Sequence, residues 1–143
     1  MLLGSSNNRI DSKGRVVMPA KFRSKIGETV VCTICLNHAL AIYPMDEWAP
    51  YYEKIQALPS TTEAKNLKLM LLGMAEELSV DGQGRVLISE KLRKFANLLD
   101  EVVIIGAGDH LEIWNSGKWS AENDVNLENF DAYSEEVAAK YGL

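Results

Sequence analysis

A chain of 143 residues, 47% apolar and 24% charged, has the size and balance of one compact globular domain or two very small ones. Two cysteines are too few for a disulfide framework, and no apolar run approaches the roughly 18 residues of a membrane-spanning helix. The amino terminus carries no charged-then-apolar leader, so export is not expected and the chain reads as a reduced, cytoplasmic protein. A net charge of −5 argues against a DNA-coating protein if taken alone, but the charge is unevenly spread. Met1 to Cys35 has a balance of +4, Leu36 to Trp119 a balance of −4, and the stretch after Trp119 a balance of −5. Local charge sets the potential felt within a screening length of about 8–10 Å, so the first segment can still face a phosphate backbone.

In chain order, the first signal is Ile10-Asp11-Ser12-Lys13-Gly14-Arg15 followed by Val16, Val17 and Met18. An apolar residue, Asp, two turn residues and Gly ahead of an apolar run predict strand–turn–strand. Asp bonds its own backbone two residues on, and Gly supplies a positive φ. Pro19 fits the first position of a short helix over Ala20–Ile26, with Phe22 and Ile26 toward the core. Strands are expected over Val30–Ile34 and Leu40–Tyr43. Two helices follow, Asp46–Leu58 and Ser60–Gly73, broken at Pro59. Asp46 is expected to cap the first, with Pro50 in its first turn, and Ser60-Thr61-Thr62-Glu63 reads as a capping box for the second.

The pattern then repeats. Val80-Asp81-Gly82-Gln83-Gly84-Arg85 with Val86, Leu87 and Ile88 matches the first motif, and Ser89 stands at the place of Pro19, as an N-cap. A helix over Glu90–Leu98 matches Ala20–Ile26. Val102–Ile105 and Leu111–Trp114 match the two strands, with Gly106-Ala107-Gly108-Asp109 as the hairpin turn between them. Each copy places a Trp, Trp48 or Trp119, five residues past the aromatic that ends its last strand. An amphipathic acidic helix, Leu127–Tyr141, ends at Gly142 as a left-handed cap. Two copies are too few for a solenoid, which needs at least about three. A pseudo-symmetric α+β domain is expected instead, with one module over residues 1–74 and the other over 75–143.

These residues carry a resemblance. Asp11-Ser12-Lys13-Gly14-Arg15 with Pro19, the second Asp81, Gly84 and Arg85, and Leu40-Ala41-Ile42-Tyr43-Pro44 with Trp48 resemble the MraZ family over nearly the whole chain. The resemblance implies a SpoVT/AbrB-like swapped-hairpin fold, two β-α-β modules forming a small barrel with linking and C-terminal helices. It implies a DNA-binding transcription regulator in the cytoplasm, associated with the nucleoid. It also implies a ring-shaped homo-oligomer, octameric or dodecameric, that binds repeated sites in double-stranded DNA upstream of the division and cell-wall gene cluster. Gln83 in place of Lys13 and Ser89 in place of Pro19 imply a weaker DNA contact from the second copy.

The residues themselves divide into roles. Asp11, Gly14, Asp81 and Gly84 are turn formers. Arg15 and Arg85 offer planar forks suited to phosphate or to a guanine edge, or they pair internally with Asp11 and Asp81. Lys13, Arg9, Lys21, Arg23 and Arg93 are either a solvated face or phosphate contacts. Cys32 and Cys35 share a redox-like spacing, but i and i+3 in a strand point to opposite faces, and His38 does not complete a zinc site, so both are expected to be structural. Gly106-Ala107-Gly108 precedes a strand rather than a helix and is no phosphate loop. No Ser, Asp or Cys joins His38 or His110 in a catalytic frame; no enzyme, cofactor or metal site is expected. The alternative function is an oligomeric protein-interaction scaffold that docks through the acidic tail helix and binds no DNA.

Overall fold

The computed structural model describes residues 1–143. Its first copy contains β1 (Ser5–Arg9), β2 (Arg15–Val17), α1 (Ala20–Ile26), β3 (Thr29–Cys35) and β4 (Ala39–Pro44). The linking helices are α2 (Met45–Gln56) and α3 (Thr62–Gly73). The second copy contains β5 (Glu76–Ser79), β6 (Arg85–Leu87), α4 (Glu90–Ala96), β7 (Glu101–Gly106) and β8 (Leu111–Asn115), followed by α5 (Ser116–Glu128) and α6 (Phe130–Tyr141).

The expected mixed α+β class is observed, and the copies are interleaved. Six strands form an antiparallel sheet in the order β1-β7-β8-β4-β3-β5, and β2 pairs with β6 in a separate two-stranded ribbon. The order is unchanged when the copies are exchanged, so a pseudo-twofold axis runs between β4 and β8. At that axis Ala41 pairs with Glu112, and in the ribbon Val16 pairs with Val86. Both are pairs of equivalent residues. Only the β3–β4 and β7–β8 hairpins lie within a copy; every other strand pairing joins one copy to the other.

The core follows from this interleaving. Val16, Met18 and Phe22 of the first copy pack with Val86, Ile88 and Leu92 of the second in one cluster, all at most 2% exposed. Alternation along β3 sends Val30 and Cys32 into that cluster, while Thr33 lies outside it. Thr33, the one fully buried polar residue, donates its hydroxyl to the Leu71 carbonyl at 2.6 Å and so ties α3 to the sheet. The Trp repeat has the same use twice: Trp48 in α2 packs on Tyr43 with ring centroids 5.6 Å apart, and Trp119 in α5 packs on Trp114 at 5.2 Å.

Several expectations are corrected. No closed barrel is formed: the edge strands β1 and β5 turn over into the ribbon, and the single bridge Ile10–Val16 is all that joins the ribbon to the sheet as a ladder contact. Pro19 is the N-cap of α1, with extended ψ of 146°, rather than its first helical residue. Pro44 takes the same place before α2, so Asp46 lies within the first turn and caps nothing with its side chain. Pro50 falls beyond the first turn of α2, where it leaves the Asp46 carbonyl without its usual helical donor. The cap of α3 is Thr61, which accepts from Ala64 N, one residue later than expected. Helix α4 stops at Ala96 because Asn97 turns left-handed. The last helical stretch starts at Ser116, not Leu127, and breaks at Asn129; Gly142 does close it in a left-handed conformation.

Candidate nucleic-acid interface

The two Asp-x-x-Gly-Arg turns have one geometry. Asp11 Oδ1 accepts the backbone N–H groups of Lys13 and Arg15, each at 2.9 Å, and its Oδ2 accepts Arg15 Nε at 2.8 Å. Asp81 accepts Gln83 N and Arg85 N at 2.9 Å and Arg85 Nε at 2.9 Å. Gly14 and Gly84 follow at φ +90° and +80°, and each donates to the carbonyl of its own Asp. The Arg15 N–H, aided by the guanidinium and the Lys13 N–H, holds the Asp11 carboxyl down at about 2. Asp81 is lowered in the same way, first by the Arg85 N–H. The turn is thus braced by a carboxylate that stays charged at neutral pH.

Of the two sequence readings, the internal pairing of Arg15 with Asp11 and of Arg85 with Asp81 is observed, and it uses one edge of each guanidinium. The Nε edge of each guanidinium pairs internally, while the Nη groups of neither make a protein hydrogen bond. A planar fork oriented by its own Asp, with its terminal donors open, is preorganised for an anion or a base edge. Both side chains are about a third exposed, at 35% and 31%. They sit on the outward face of the β2–β6 ribbon, diagonally across the axis at Val16–Val86. Val17 and Leu87 share that face. Strand alternation places Val16 and Val86 inward, so every outward position is Arg, Val or Leu.

The remaining predicted cations are dispersed around the ribbon. Lys13 is exposed at the tip of the first turn, and its ammonium makes no hydrogen bond or ion pair within the protein. Arg23 reaches across to the second turn, its Nη2 donating to Gly82 O at 2.8 Å. Arg93 lies over the first turn and donates Nε to Ile88 O at 2.9 Å. Lys21 donates to Ser5 O at 2.8 Å and sits over the Phe22 ring. Arg9 is spent on Asp100 and Glu101, at 3.1 and 3.2 Å, and is the least available of the set.

The flanks of the two halves differ in charge. Val17 borders a hollow lined by Asn7, Asn8, Arg9 and Glu101, and Asn8 Nδ2 donates to Val17 O at 3.1 Å. Leu87 borders one lined by Glu76 and Glu77. Sequence reasoning missed these flanking residues and the outward Val17 and Leu87. The signal was present: the middle residue of each apolar triplet faces opposite to its neighbours in a strand.

Elsewhere the chemistry is structural. Cys32 is fully buried and Cys35 half-buried, both in β3, and burial pushes both thiols up, Cys35 to about 12. No three His, Cys, Asp or Glu residues are grouped so as to hold a metal ion. His110 lies between Glu112, at 3.0 Å, and Asp109, at 2.6 Å, stacked on Tyr43, and the Glu112 contact raises its pKa. No helix is long and apolar enough to cross a membrane.

The chain is thus an interleaved, duplicated α+β domain whose distinctive surface is a ribbon of two braced arginines. The family model described as "MraZ protein, putative antitoxin-like" matches twice, over residues 1–71 and 70–139. The chain is 40% identical to the "Transcriptional regulator MraZ" of Clostridium tetani, over 90% of this chain and 91% of that one. It is 40% identical to the protein of that name from Halothermothrix orenii, over 97% and 95% of the two chains. With that from Lachnoclostridium phytofermentans it shares 34% identity over 99% and 100%. The chain belongs to the MraZ family, whose members by these names are transcription regulators and not enzymes.

Proposed function

We propose that this chain is a sequence-specific DNA-binding transcription regulator that binds repeated upstream sites as a ring-shaped homo-oligomer. The observation that carries the reading is the pair Arg15 and Arg85, each locked through Nε to its own Asp and open at Nη, on the outward face of a two-stranded ribbon. A two-stranded ribbon fits the major groove of B-DNA, where an arginine fork pairs with guanine edges, and its flanking lysines take phosphates. Lys13, Lys21, Arg23 and Arg93 surround the ribbon as phosphate contacts, and the interleaving of residues 1–74 with 75–143 suits a swapped-hairpin DNA-binding fold. One subunit neutralises few phosphates, so repetition around a ring is what makes binding tight. The target in this reading is the division and cell-wall gene cluster, and the protein is cytoplasmic and nucleoid-associated.

The ring reading is supported by two separated apolar surfaces. Helix α3 exposes Leu67, Leu69 and Met70, at 45–59%. Helix α6 buries nothing and exposes Phe130, Tyr133, Val137 and Tyr141. Two different patches that meet head to tail generate closed rings or open filaments. The test is a gel shift on DNA upstream of the chain's own gene at several salt concentrations, with light scattering of the complex. Tight, salt-dependent binding by a closed oligomer is expected. An oligomer that leaves this DNA unbound at low salt overturns the DNA reading and favours a protein-interaction scaffold.

A further inference from the structure

The outward face of the β2–β6 ribbon breaks the rule that a sheet with one buried face turns polar residues to water. Val16 and Val86 are buried on the core side, and the solvent side should then alternate to polar residues. Instead Val17 and Leu87 stand 50% and 55% exposed. A single exposed apolar residue is ordinary. Here the feature occurs twice, at equivalent positions of the two copies, although the copies differ at most other surface positions. Both hollows beside them are mainly polar, with Asn7, Asn8, Arg9 and Glu101 beside Val17 and Glu76 and Glu77 beside Leu87; the apolar residues that border them, Val102 and Leu78, leave Val17 and Leu87 half exposed.

Register adds the second observation. Val17 lies directly opposite Arg85, and Leu87 directly opposite Arg15. The ladder hydrogen bonds run from Met18 N to Gly84 O and from Ile88 N to Gly14 O, so both Arg–apolar pairs occupy the close, non-hydrogen-bonded positions, with Cα atoms about 4.5 Å apart. Each arginine fork is therefore neighboured by one aliphatic tip on the same face. A cationic surface with this pairing fits a ligand that offers anions and acceptors beside small apolar groups. The major groove of DNA does so: purine acceptors and phosphates lie beside the C5-methyl of thymine, the one apolar group on a base edge.

We infer that Val17 and Leu87 are specificity-determining residues that pack on thymine methyl groups in the major groove while Arg15 and Arg85 engage base-edge acceptors or phosphates. This rests on the DNA-binding reading above and deepens it, by assigning part of the sequence preference to two apolar side chains. Because Arg9 offsets Glu101 beside Asn7 and Asn8 on the Val17 flank, whereas Glu76 and Glu77 flank Leu87, the Val17 half lies nearer to neutral and makes the closer contact.

The experiment uses the full-length protein and a duplex that it selects from a random-sequence pool. Each thymine is replaced in turn by deoxyuridine, which deletes one methyl group and keeps base pairing. At one or two positions the wild-type protein should lose about fourfold in affinity, the transfer value of one methyl-sized group. Val17→Ala should bind the unmodified duplex more weakly and lose the sensitivity at one of those positions, and Leu87→Ala at another. Uniform affinity across every deoxyuridine duplex, with tight binding to the parent, overturns the methyl reading and leaves the DNA reading standing. Failure to select or bind any duplex overturns both. The deoxyuridine scan needs no variant, so a misfolded substitution does not blunt the test.

Discussion

Arg93 of the second copy lies so close over Gly14 of the first that a Cβ on the glycine would stand 2.8 Å from the arginine Nε and 2.6 Å from the Ile88 carbonyl oxygen. The mirror contact is looser: a Cβ on Gly84 would meet Arg23 Cδ at 3.0 Å and no backbone atom within 4 Å among its nearest neighbours. Each copy thus supplies the arginine that roofs the other copy's turn, but only at Gly14 is a backbone atom also among the nearest neighbours of the Cβ position.

The two glycines should therefore differ on substitution. Both require a left-handed φ, which costs a non-glycine residue about 1–2 kcal/mol. Gly84→Ala should lose about that much, because the Arg23 side chain can swing away. Gly14→Ala should lose roughly 3 kcal/mol or more, since the Ile88 carbonyl is backbone of the residue whose N–H bonds Gly14 O, and overpacking adds its own cost. Urea unfolding of the two variants checks the difference; equal losses would mean that the Ile88 strand yields as easily as a side chain.

The turns should also respond to acid in a defined window. Asp11 is held at about 2 in the folded protein, against about 3.9 for an unperturbed Asp, and Asp81 is lowered likewise. A depressed carboxylate contributes stability that is present above its unfolded pKa and lost as pH falls through the folded one. The brace is expected intact above about pH 4 and progressively lost from there toward pH 2. The amide resonances of Lys13, Arg15, Gln83 and Arg85 report it directly; movement centred near pH 4 instead would show that neither carboxylate is braced.

Much of this arrangement could be read from the chain. The in-order repeat announced the pseudo-symmetry, and the Asp and Gly positions announced the turns. The repeat even held information that local composition hid. Trp119 matches Trp48, and Trp48 sits in a helix that packs on Tyr43, so Trp119 implied helix α5. The polar stretch from Ser116, with Gly117 in its first turn, gave no periodic signal of its own. Barrel closure was not legible, because it depends on the register of β2 against β6, strands 70 residues apart in the chain. Whether Arg15 faced Asp11 or solvent was undecidable for a different reason: a guanidinium has two edges, and the fold uses one for each.

Oligomer order should depend on α6. By position in the repeat α6 corresponds to α3, yet α3 buries Leu71 and is tied to Thr33, whereas α6 has no buried residue. Phe130 and Tyr133 are 62% and 48% exposed, so replacing both with Ser should leave the melting temperature of the isolated subunit nearly unchanged. The same change should lower the mass seen by light scattering at micromolar concentration. Unchanged mass would place the subunit contacts elsewhere.

The two halves of the ribbon should contribute unequally to DNA affinity. Arg15 and Arg85 are equivalent in bracing and exposure, so any inequality must come from their surroundings. The first half has Lys13 at its turn and, on its flank, Asn7, Asn8 and a Glu101 offset by Arg9; the second has Gln83 at its turn and Glu76 and Glu77 on its flank. Carboxylates within a Debye length of about 8–10 Å repel a phosphate backbone and weaken whatever Arg85 gains. Arg15→Ala should cost about 1–3 kcal/mol per site and more through avidity in an oligomer, whereas Arg85→Ala should cost less. Lys13→Ala should reduce the slope of log affinity against log salt by about one unit for each phosphate that the variant leaves unneutralised. Glu76→Gln with Glu77→Gln should strengthen binding and bring Arg85→Ala closer to Arg15→Ala in effect. Because Arg15 also braces Asp11, each variant is compared at matched melting temperature and oligomer mass. Arg15→Ala with unchanged affinity at every salt concentration would show that this ribbon is not the DNA-binding surface.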